Sequence, residues 1–146
     1  INNLKNYHHV FLNGNLENVE SLKKEIFSIN PNINIHLGTY EPINLDEFNK
    51  NNNYIVFSGI GNHKTFISML KKNGLNILKD IEYPDHHKYT DRDIDKIISI
   101  ANNLKCEIIT TEKDYNRINK INFNKIKIVK SELSIIDEDQ FTKFII

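Results

Sequence analysis

The stretch "EYPDHHKYT" at residues 82–90 places the carboxylate of Asp85 and the imidazoles of His86 and His87 directly after Pro84. Such a group can hold a metal ion, or one imidazole can take or give a proton near neutral pH. A residue before proline favours extended backbone, so a loop is expected here after a strand. A solvated loop in which Asp85 caps a turn fits equally well. The spacing leaves the acid–base and loop interpretations open.

A metal site is the least favoured interpretation. Adjacent side chains rarely converge on one ion, so further ligands would have to come from elsewhere in the chain. The other histidines show no matching helical or hairpin spacing; they are His8, His9, His36 and His63. We therefore predict no metal ligands in this chain.

A second polar cluster, Ser-Gly-Ile-Gly-Asn at residues 58–62, follows an apolar stretch. Gly59 and Gly61 match part of the dinucleotide motif G-x-G-x-x-G, but Lys64 stands where the third glycine would be. A tight strand-to-helix turn capped by Asn62 is favoured instead. The chain also lacks the phosphate-binding P-loop pattern G-x-x-x-x-G-K-[ST].

A third polar cluster begins at Thr111 and continues through Glu112, Lys113 and Asp114. These residues could present a lysine and two carboxylates at the start of a helix, where backbone N–H groups favour anions. Capping together with a surface ion pair explains the cluster as well, and we favour that interpretation.

Apolar periodicity predicts strands that alternate with helices. The expected strands are residues 7–12, 32–39, 54–57, 75–83, 106–110, 126–129 and 141–146. Three helices are expected: one after a cap at Asn15, one after the turn at 58–62 and one after a capping box of Thr90 and Asp93. Gly74 is expected to end the second of these helices. Residues 41–53 are expected to be a surface connection. This order predicts an α/β fold, a three-layer α/β/α Rossmann-like sandwich with a mostly parallel sheet. The three polar clusters then lie beyond the carboxyl ends of strands, where they are expected to border one cleft.

Composition narrows the class of protein. The chain of 146 residues is long enough for one domain with its own core. Its 19 basic and 19 acidic residues cancel, so no nucleic-acid partner is expected. Cys106 is the only cysteine, which favours a reducing, cytoplasmic compartment. No apolar run approaches the roughly 18 residues that a membrane span needs.

Three stretches occur in the order found in one known family. They are "FSGIGNHKTF" at 57–66, "YPDHHKYT" at 83–90 and "TTEKDYNRI" at 110–118. Together they resemble the C-terminal half of tetraacyldisaccharide 4'-kinase, the lipid A pathway kinase of Gram-negative bacteria. The resemblance is tight over residues 54–118 and looser on either side.

This resemblance implies a lipid kinase that uses ATP and Mg²⁺ to phosphorylate the 4'-hydroxyl of a tetraacylated glucosamine disaccharide. The family works at the cytoplasmic face of the inner membrane, as a peripheral protein. It has two α/β/α domains facing across a cleft, and residues 1–146 would be a single α/β domain, most of the second. The P-loop domain that mainly holds ATP and Mg²⁺ would precede Ile1, so this chain alone is expected to be inactive.

The resemblance also implies site residues. His86 matches the family's catalytic histidine, which follows the aspartate of the "DHH" loop and pairs with an aspartate from the P-loop half. Asp85, its neighbour in that loop, is the second catalytic candidate. His63 stands where the family usually has proline. Further candidates for the cleft that binds the cofactor are Gly59, Gly61, Asn62, Glu112 and Lys113.

Two other functions remain as alternatives. A metal-dependent phosphoesterase with an Asp-His-His site would also need a D-x-D motif earlier in the chain, and residues 1–84 contain none. A non-catalytic Rossmann-like binding module would need no chemistry from His86 at all.

Overall fold

A computed structural model describes residues 2–13, 18–118, 125–136 and 141–143. The strands are β1 His9–Asn13, β2 Asn34–Pro42, β3 Asn53–Ser58, β4 Asn76–Glu82, β5 Glu107–Thr111, β6 Ile126–Val129 and β7 Ser131–Ile135. The helices are α1 Val19–Ile29, α2 His63–Lys72, α3 Asp91–Leu104 and the short α4 Glu112–Tyr115, with 3-10 turns at Asn2–Asn6 and Leu45–Glu47.

The chain divides into two compact units. The first unit comprises Ile1–Glu41 and Glu132–Ile146, and the second unit comprises Pro42–Ser131. In the first unit, β1 and β2 pair in parallel, and the strand order of the sheet is β1-β2-β7. The expectation of one domain over residues 1–146 stays a prediction.

The second unit contains a four-stranded sheet in the order β4-β3-β5-β6. Its three strand pairings are all parallel. Parallel strands linked by crossover helices are covered on both faces, so a central strand becomes continuously apolar. Accordingly, the side chains at positions 54–57 of β3 are fully buried.

Alternate residues of β3 face opposite layers of the second unit. Tyr54 and Val56 belong to the core that contains Phe66, Ile67 and Leu70 of α2. Ile55 and Phe57 belong to a second core, which contains Ile94, Ile97 and Ala101 of α3. The two-residue period of a strand therefore supplies both cores. Helix, sheet and helix layers with a parallel sheet confirm the predicted fold class.

The ends of α2 and α3 follow the predicted signals. Gly74 has a φ of +87°, and hydrogen bonds run from Gly74 N to Lys71 O and from Leu75 N to Leu70 O. This is the glycine-terminated C-cap expected from the sequence. At the start of α3, Thr90 and Asp93 form a reciprocal capping box. Both helix boundaries are thus encoded locally.

The strand predicted at 141–146 is wrong for residues 141–143, which have helical backbone; residues 144–146 lie outside the described residues. Among the described residues the last strand is β7, which was not predicted from the sequence. The predicted cap Asn15 lies outside the described residues.

The expected surface connection at 41–53 is also partly wrong. Asn44 and Phe48 are buried. The Asn44 side chain donates to Ile128 O at 2.9 Å and accepts from Lys130 N at 2.9 Å. The polar, Asn-rich composition of this segment gave no sign that one asparagine amide would bond to the backbone of β6 and of the residue after it.

Replacing Thr90 by Ala should lower the free energy of unfolding by about 1 kcal/mol, because the hydroxyl accepts a hydrogen bond from Asp93 N. Chemical unfolding followed by circular dichroism measures this change. Ser99→Ala is the matched control, since it removes an exposed hydroxyl from the interior of the same helix. Equal stability of the two variants would contradict the capping role.

Asp93→Asn should make the free energy of unfolding depend less on pH in the acid range. Hydrogen bonds from the backbone and hydroxyl of Thr90, with His87 nearby, lower the pKa of Asp93 below 3.8. A carboxyl whose folded pKa is depressed stabilises the fold above its unfolded pKa and loses this effect as pH falls through the folded pKa. The stability difference between wild type and variant should therefore be constant above about pH 5 and shrink below about pH 4.

Unfolding measured across this range tests the expectation. Asp95→Asn, which changes an exposed carboxylate of the same helix, is the matched control. A difference between wild type and Asp93→Asn that stays the same down to pH 2 would contradict the assignment.

Candidate functional site

The three polar clusters predicted from the sequence lie at the carboxyl ends of β3, β4 and β5. Parallel strands end at the same edge of the sheet, so the turns that follow them are neighbours. Direct hydrogen bonds join them: Gly59 N donates to Asp114 at 3.1 Å, and His86 N donates to Gly59 O at 3.0 Å. The structure therefore brings the β3–α2 turn, the 83–90 loop and the β5–α4 turn together.

Asp114 is the common contact of these turns, and its side chain is fully buried. Its Oδ1 accepts from Gly59 N at 3.1 Å, from the Tyr89 hydroxyl at 3.1 Å and from Arg117 Nη1 at 3.3 Å. Its Oδ2 accepts from the Thr111 hydroxyl at 2.7 Å. A buried carboxylate is tolerated when charge-assisted hydrogen bonds satisfy it, and these donors do so.

The local sequence places this carboxylate. Thr111 caps the single turn of α4, because its hydroxyl accepts from Asp114 N at 3.1 Å. The predicted cap is confirmed. The surface ion pair favoured for this cluster is wrong for Asp114, since the carboxylate is buried and its partner Arg117 is only 25% exposed.

Gly59 is required by close packing against the 83–90 loop. A Cβ at this position would lie 2.9 Å from Pro84 O and 3.1 Å from the Cβ of His87. Gly61 is less constrained, because a Cβ there would lie 3.6 Å from Asp85 Oδ2. Asn62 caps α2, with its Oδ1 accepting from Thr65 N at 3.3 Å. The turn is thus as compact as the sequence predicted.

His86 lies at the surface of this cluster, with its side chain 79% exposed. Its φ is +60°, the left-handed region that non-glycine residues seldom occupy. Hydrogen bonds from His86 N to Gly59 O and to Asp85 Oδ1, both 3.0 Å, hold this backbone. The ring Nδ1 lies 3.0 Å from Arg117 Nη2, and Nε2 lies 3.6 Å from Asp85 Oδ2. Strain of this kind is typical of functional loops.

His87 differs from its neighbour. Its side chain is 27% exposed, and its Nε2 lies 3.2 Å from Asp93 Oδ2. Its ring stacks on Tyr83 with centroids 4.6 Å apart. Tyr89 lies edge-on to the same histidine ring. Burial, and to a smaller extent the charge of Asp114, raises the pKa of the Tyr89 hydroxyl. These aromatic contacts make His87 part of the scaffold and leave His86 as the accessible imidazole.

The ring of His63 hydrogen-bonds to two other side chains, an arrangement that was not predicted from the sequence. Its ring is 2% exposed, with Nδ1 2.6 Å from Ser58 Oγ and Nε2 3.0 Å from Asp80 Oδ2. The order serine, histidine, aspartate resembles a catalytic triad, but Ser58 is fully buried and inaccessible to a substrate. The three hydrogen-bonded side chains instead join the end of β3, the start of α2 and β4.

The remaining predicted residues are placed as follows. The side chains of Glu112 and Lys113 are exposed. Within the described ranges, no three or more His, Cys, Asp or Glu side chains are grouped as metal ligands would be. Arg117 was not among the predicted site residues, and Asp114 was predicted only as a member of the third polar cluster. The i, i+3 spacing of Asp114 and Arg117, with Asp114 three residues after the capping Thr111, is the signal in the sequence that could have indicated their contact.

A shallow cavity of about 280 Å³ lies elsewhere in the second unit. It is lined by residues that include Ala101, Cys106, Glu107 and Lys127. Cys106 and Glu107 are at the amino end of β5, so the cavity lies at the opposite end of this strand from Asp114. We therefore do not associate it with the cluster around His86. In the part of the chain that is described, no helix has the length and apolar character needed to cross a bilayer.

Comparison with known proteins yields one family. The family model for tetraacyldisaccharide-1-P 4'-kinase matches residues 1–146. A tetraacyldisaccharide 4'-kinase from Pelagibacter ubique (strain HTCC1062) is 56% identical over the whole chain, which covers 46% of that protein. The enzyme of the same name from Rickettsia akari (strain Hartford) is 40% identical over 94 residues, or 64% of this chain and 29% of the relative. The chain therefore spans less than half the length of these relatives.

A solved structure shares the fold. It is LpxK from Aquifex aeolicus in complex with ATP, which aligns with a TM-score of 0.54 and 18% identity over 94% of this chain and 50% of that one. At this identity the likeness concerns the fold alone. The match of the family model over all 146 residues identifies the sequence: the chain belongs to the tetraacyldisaccharide-1-P 4'-kinase family.

Proposed function

We propose that this chain is the C-terminal part of a kinase that transfers the γ-phosphoryl group of ATP to the 4'-hydroxyl of a tetraacylated glucosamine disaccharide. The family match and the 56% identity to a tetraacyldisaccharide 4'-kinase support this activity for the complete protein. The observation that carries the proposal for this chain is the exposed His86 ring on a strained loop, anchored through Gly59 and Arg117 to the buried carboxylate of Asp114.

Phosphoryl transfer depends mainly on positioning and on stabilisation of charge. The hydroxyl oxygen forms a bond to the γ-phosphorus while the bond from this phosphorus to the β–γ bridging oxygen breaks, and ADP leaves. The hydroxyl proton passes to a base. We assign this base to an aspartate of the preceding P-loop half with His86 as its hydrogen-bonding partner, because an imidazole N–H can donate to a carboxylate and orient it.

Asp85 assists His86 from within the same loop. Its Oδ1 accepts from His86 N at 3.0 Å, and its Oδ2 lies 3.6 Å from the ring Nε2. One carboxylate thus stabilises the left-handed backbone and faces the imidazole. We propose that Asp85 orients the ring toward the cleft between the two halves of the complete protein.

ATP and Mg²⁺ would be held mainly by the P-loop half. The described residues do not fit a magnesium site, because the oxygens of Asp114 are bound by protein donors and no acidic cluster is present there. We assign no step to Mg²⁺ on this chain. The exposed Glu112 and Lys113 and the turn at Gly59, Gly61 and Asn62 remain candidates for the cleft wall.

The proposed lipid substrate implies where in the cell the complete protein works. A tetraacylated disaccharide is embedded in a bilayer by its acyl chains, so the complete kinase must work at a membrane surface. We propose that it is a peripheral protein at the cytoplasmic face of the inner membrane, with this chain meeting the P-loop domain of the same protein.

His86→Ala in the complete protein should lower the turnover number about a hundredfold or more, the usual contribution of an acid–base group. ATP-dependent phosphorylation of the tetraacylated disaccharide measures it. Folding should change little because the ring is 79% exposed.

His86→Asn is the companion variant, because asparagine tolerates the left-handed backbone and removes only the imidazole. It should lose as much turnover as His86→Ala while matching the unfolding temperature of the wild type. Wild-type turnover in His86→Asn would refute the role assigned to His86.

A further inference from the structure

Arg117 contacts two of the three turns and the exposed imidazole. Its Nη1 donates to Gly59 O at 3.1 Å and to Asp114 Oδ1 at 3.3 Å. Its Nη2 lies 3.0 Å from Nδ1 of His86. The guanidinium therefore links the buried carboxylate to the exposed ring.

The chemistry of this contact determines where the His86 proton lies. A guanidinium carries N–H donors and no acceptor. Nδ1 must therefore be unprotonated while the contact lasts, so the ring is neutral and its one proton is on Nε2. At the other end of the ring, Nε2 faces Asp85 Oδ2 at 3.6 Å, an atom that can only accept from it when ionised. The Arg117 contact selects this tautomer, and the position of the Asp85 carboxylate is compatible with it.

We propose that Arg117 is a positioning residue for His86, which fixes the imidazole as the neutral tautomer with its proton on Nε2. Nε2–H is then the hydrogen-bond donor of the ring, on the side of Asp85 Oδ2. An exposed imidazole without this contact would rotate and exchange between its two neutral tautomers. The catalytic value of this arrangement rests on the proposed kinase function. The tautomer itself follows from the Arg117 contact and does not depend on that function.

The side chain suits this task because its donors are fixed in a plane. Asp114 and Gly59 O hold one nitrogen of the fork, so the other is already aimed when it meets the ring. Arg117 is 25% exposed while His86 is 79% exposed, and the more buried partner therefore orients the more mobile one. The Asp114 carboxylate compensates the charge of the guanidinium.

Nitrogen-15 spectroscopy of histidine tests the proposal in the complete protein labelled at its imidazole nitrogens. In the wild type, Nδ1 of His86 should resonate as an unprotonated acceptor and Nε2 as a protonated nitrogen, at a pH where the ring is neutral. Exposed His8 should show the tautomer mixture of a solvated imidazole and serves as the internal reference. His86→Asn assigns the signals by removing them.

Arg117→Met should shift His86 to the mixture seen for His8, because the donor to Nδ1 is gone. Arg92→Met is the matched control, since Arg92 is the other arginine of the chain and is exposed. It should leave the His86 signals unchanged. An unaltered His86 tautomer in folded Arg117→Met would overturn the proposal.

The wild type gives a second readout that needs no folded variant. A His86 ring protonated at Nδ1, or one with the same mixture as His8, would overturn the proposal even if Arg117→Met fails to fold. A ring that is almost wholly the Nε2–H tautomer, unlike His8, supports it.

Kinetics separate this inference from the kinase function. Arg117→Met should lower turnover about ten- to a hundredfold with little change in KM, the effect of a misplaced reacting group. A shifted tautomer with unchanged turnover in both Arg117→Met and His86→Asn would sustain the positioning role and refute the proposed function. If the His86 tautomer is unshifted in Arg117→Met but turnover is reduced in His86→Asn, the positioning role is refuted and the proposed function is sustained.

Discussion

The buried carboxylate of Asp114 is the interaction on which the arrangement around His86 depends. It accepts hydrogen bonds from Gly59, Tyr89, Thr111 and Arg117, which lie in three separate turns. Each donor satisfies part of a charge that would otherwise be costly to bury. Because Gly59 O then accepts from His86 N, the position of the exposed imidazole follows from a group that no substrate can reach.

The parallel sheet of the second unit makes this convergence possible. Its central strands end at one edge, and the continuously buried β3 fixes where that edge lies. Ser58, His63 and Asp80 join β3, α2 and β4 by hydrogen bonds. His63 therefore has a structural role, because its ring joins these three elements.

Local signals made much of the fold predictable. The cap formed by Thr90 and Asp93, the glycine that ends α2 and the alternation of strands and helices each act over a few residues. Contacts over longer sequence separations were missed, because nothing beside Asp114 in the chain shows that Gly59 will donate to it from 55 residues away. The error at residues 141–143 arose because a short apolar run fits both helix and strand. His86 was found through the resemblance, since its spacing alone left a solvated loop equally open.

Hydrogen exchange at the Gly59 amide tests the central claim most directly, with Asp114→Ala compared to Asp95→Ala, which removes an exposed carboxylate. If Asp114 holds the three turns together, Asp114→Ala should abolish protection of this amide and lower the free energy of unfolding by about 3 kcal/mol, because several buried donors lose their acceptor. Asp95→Ala should leave both unchanged. A Gly59 amide that stays as protected in a folded Asp114→Ala protein as in the wild type would contradict the account.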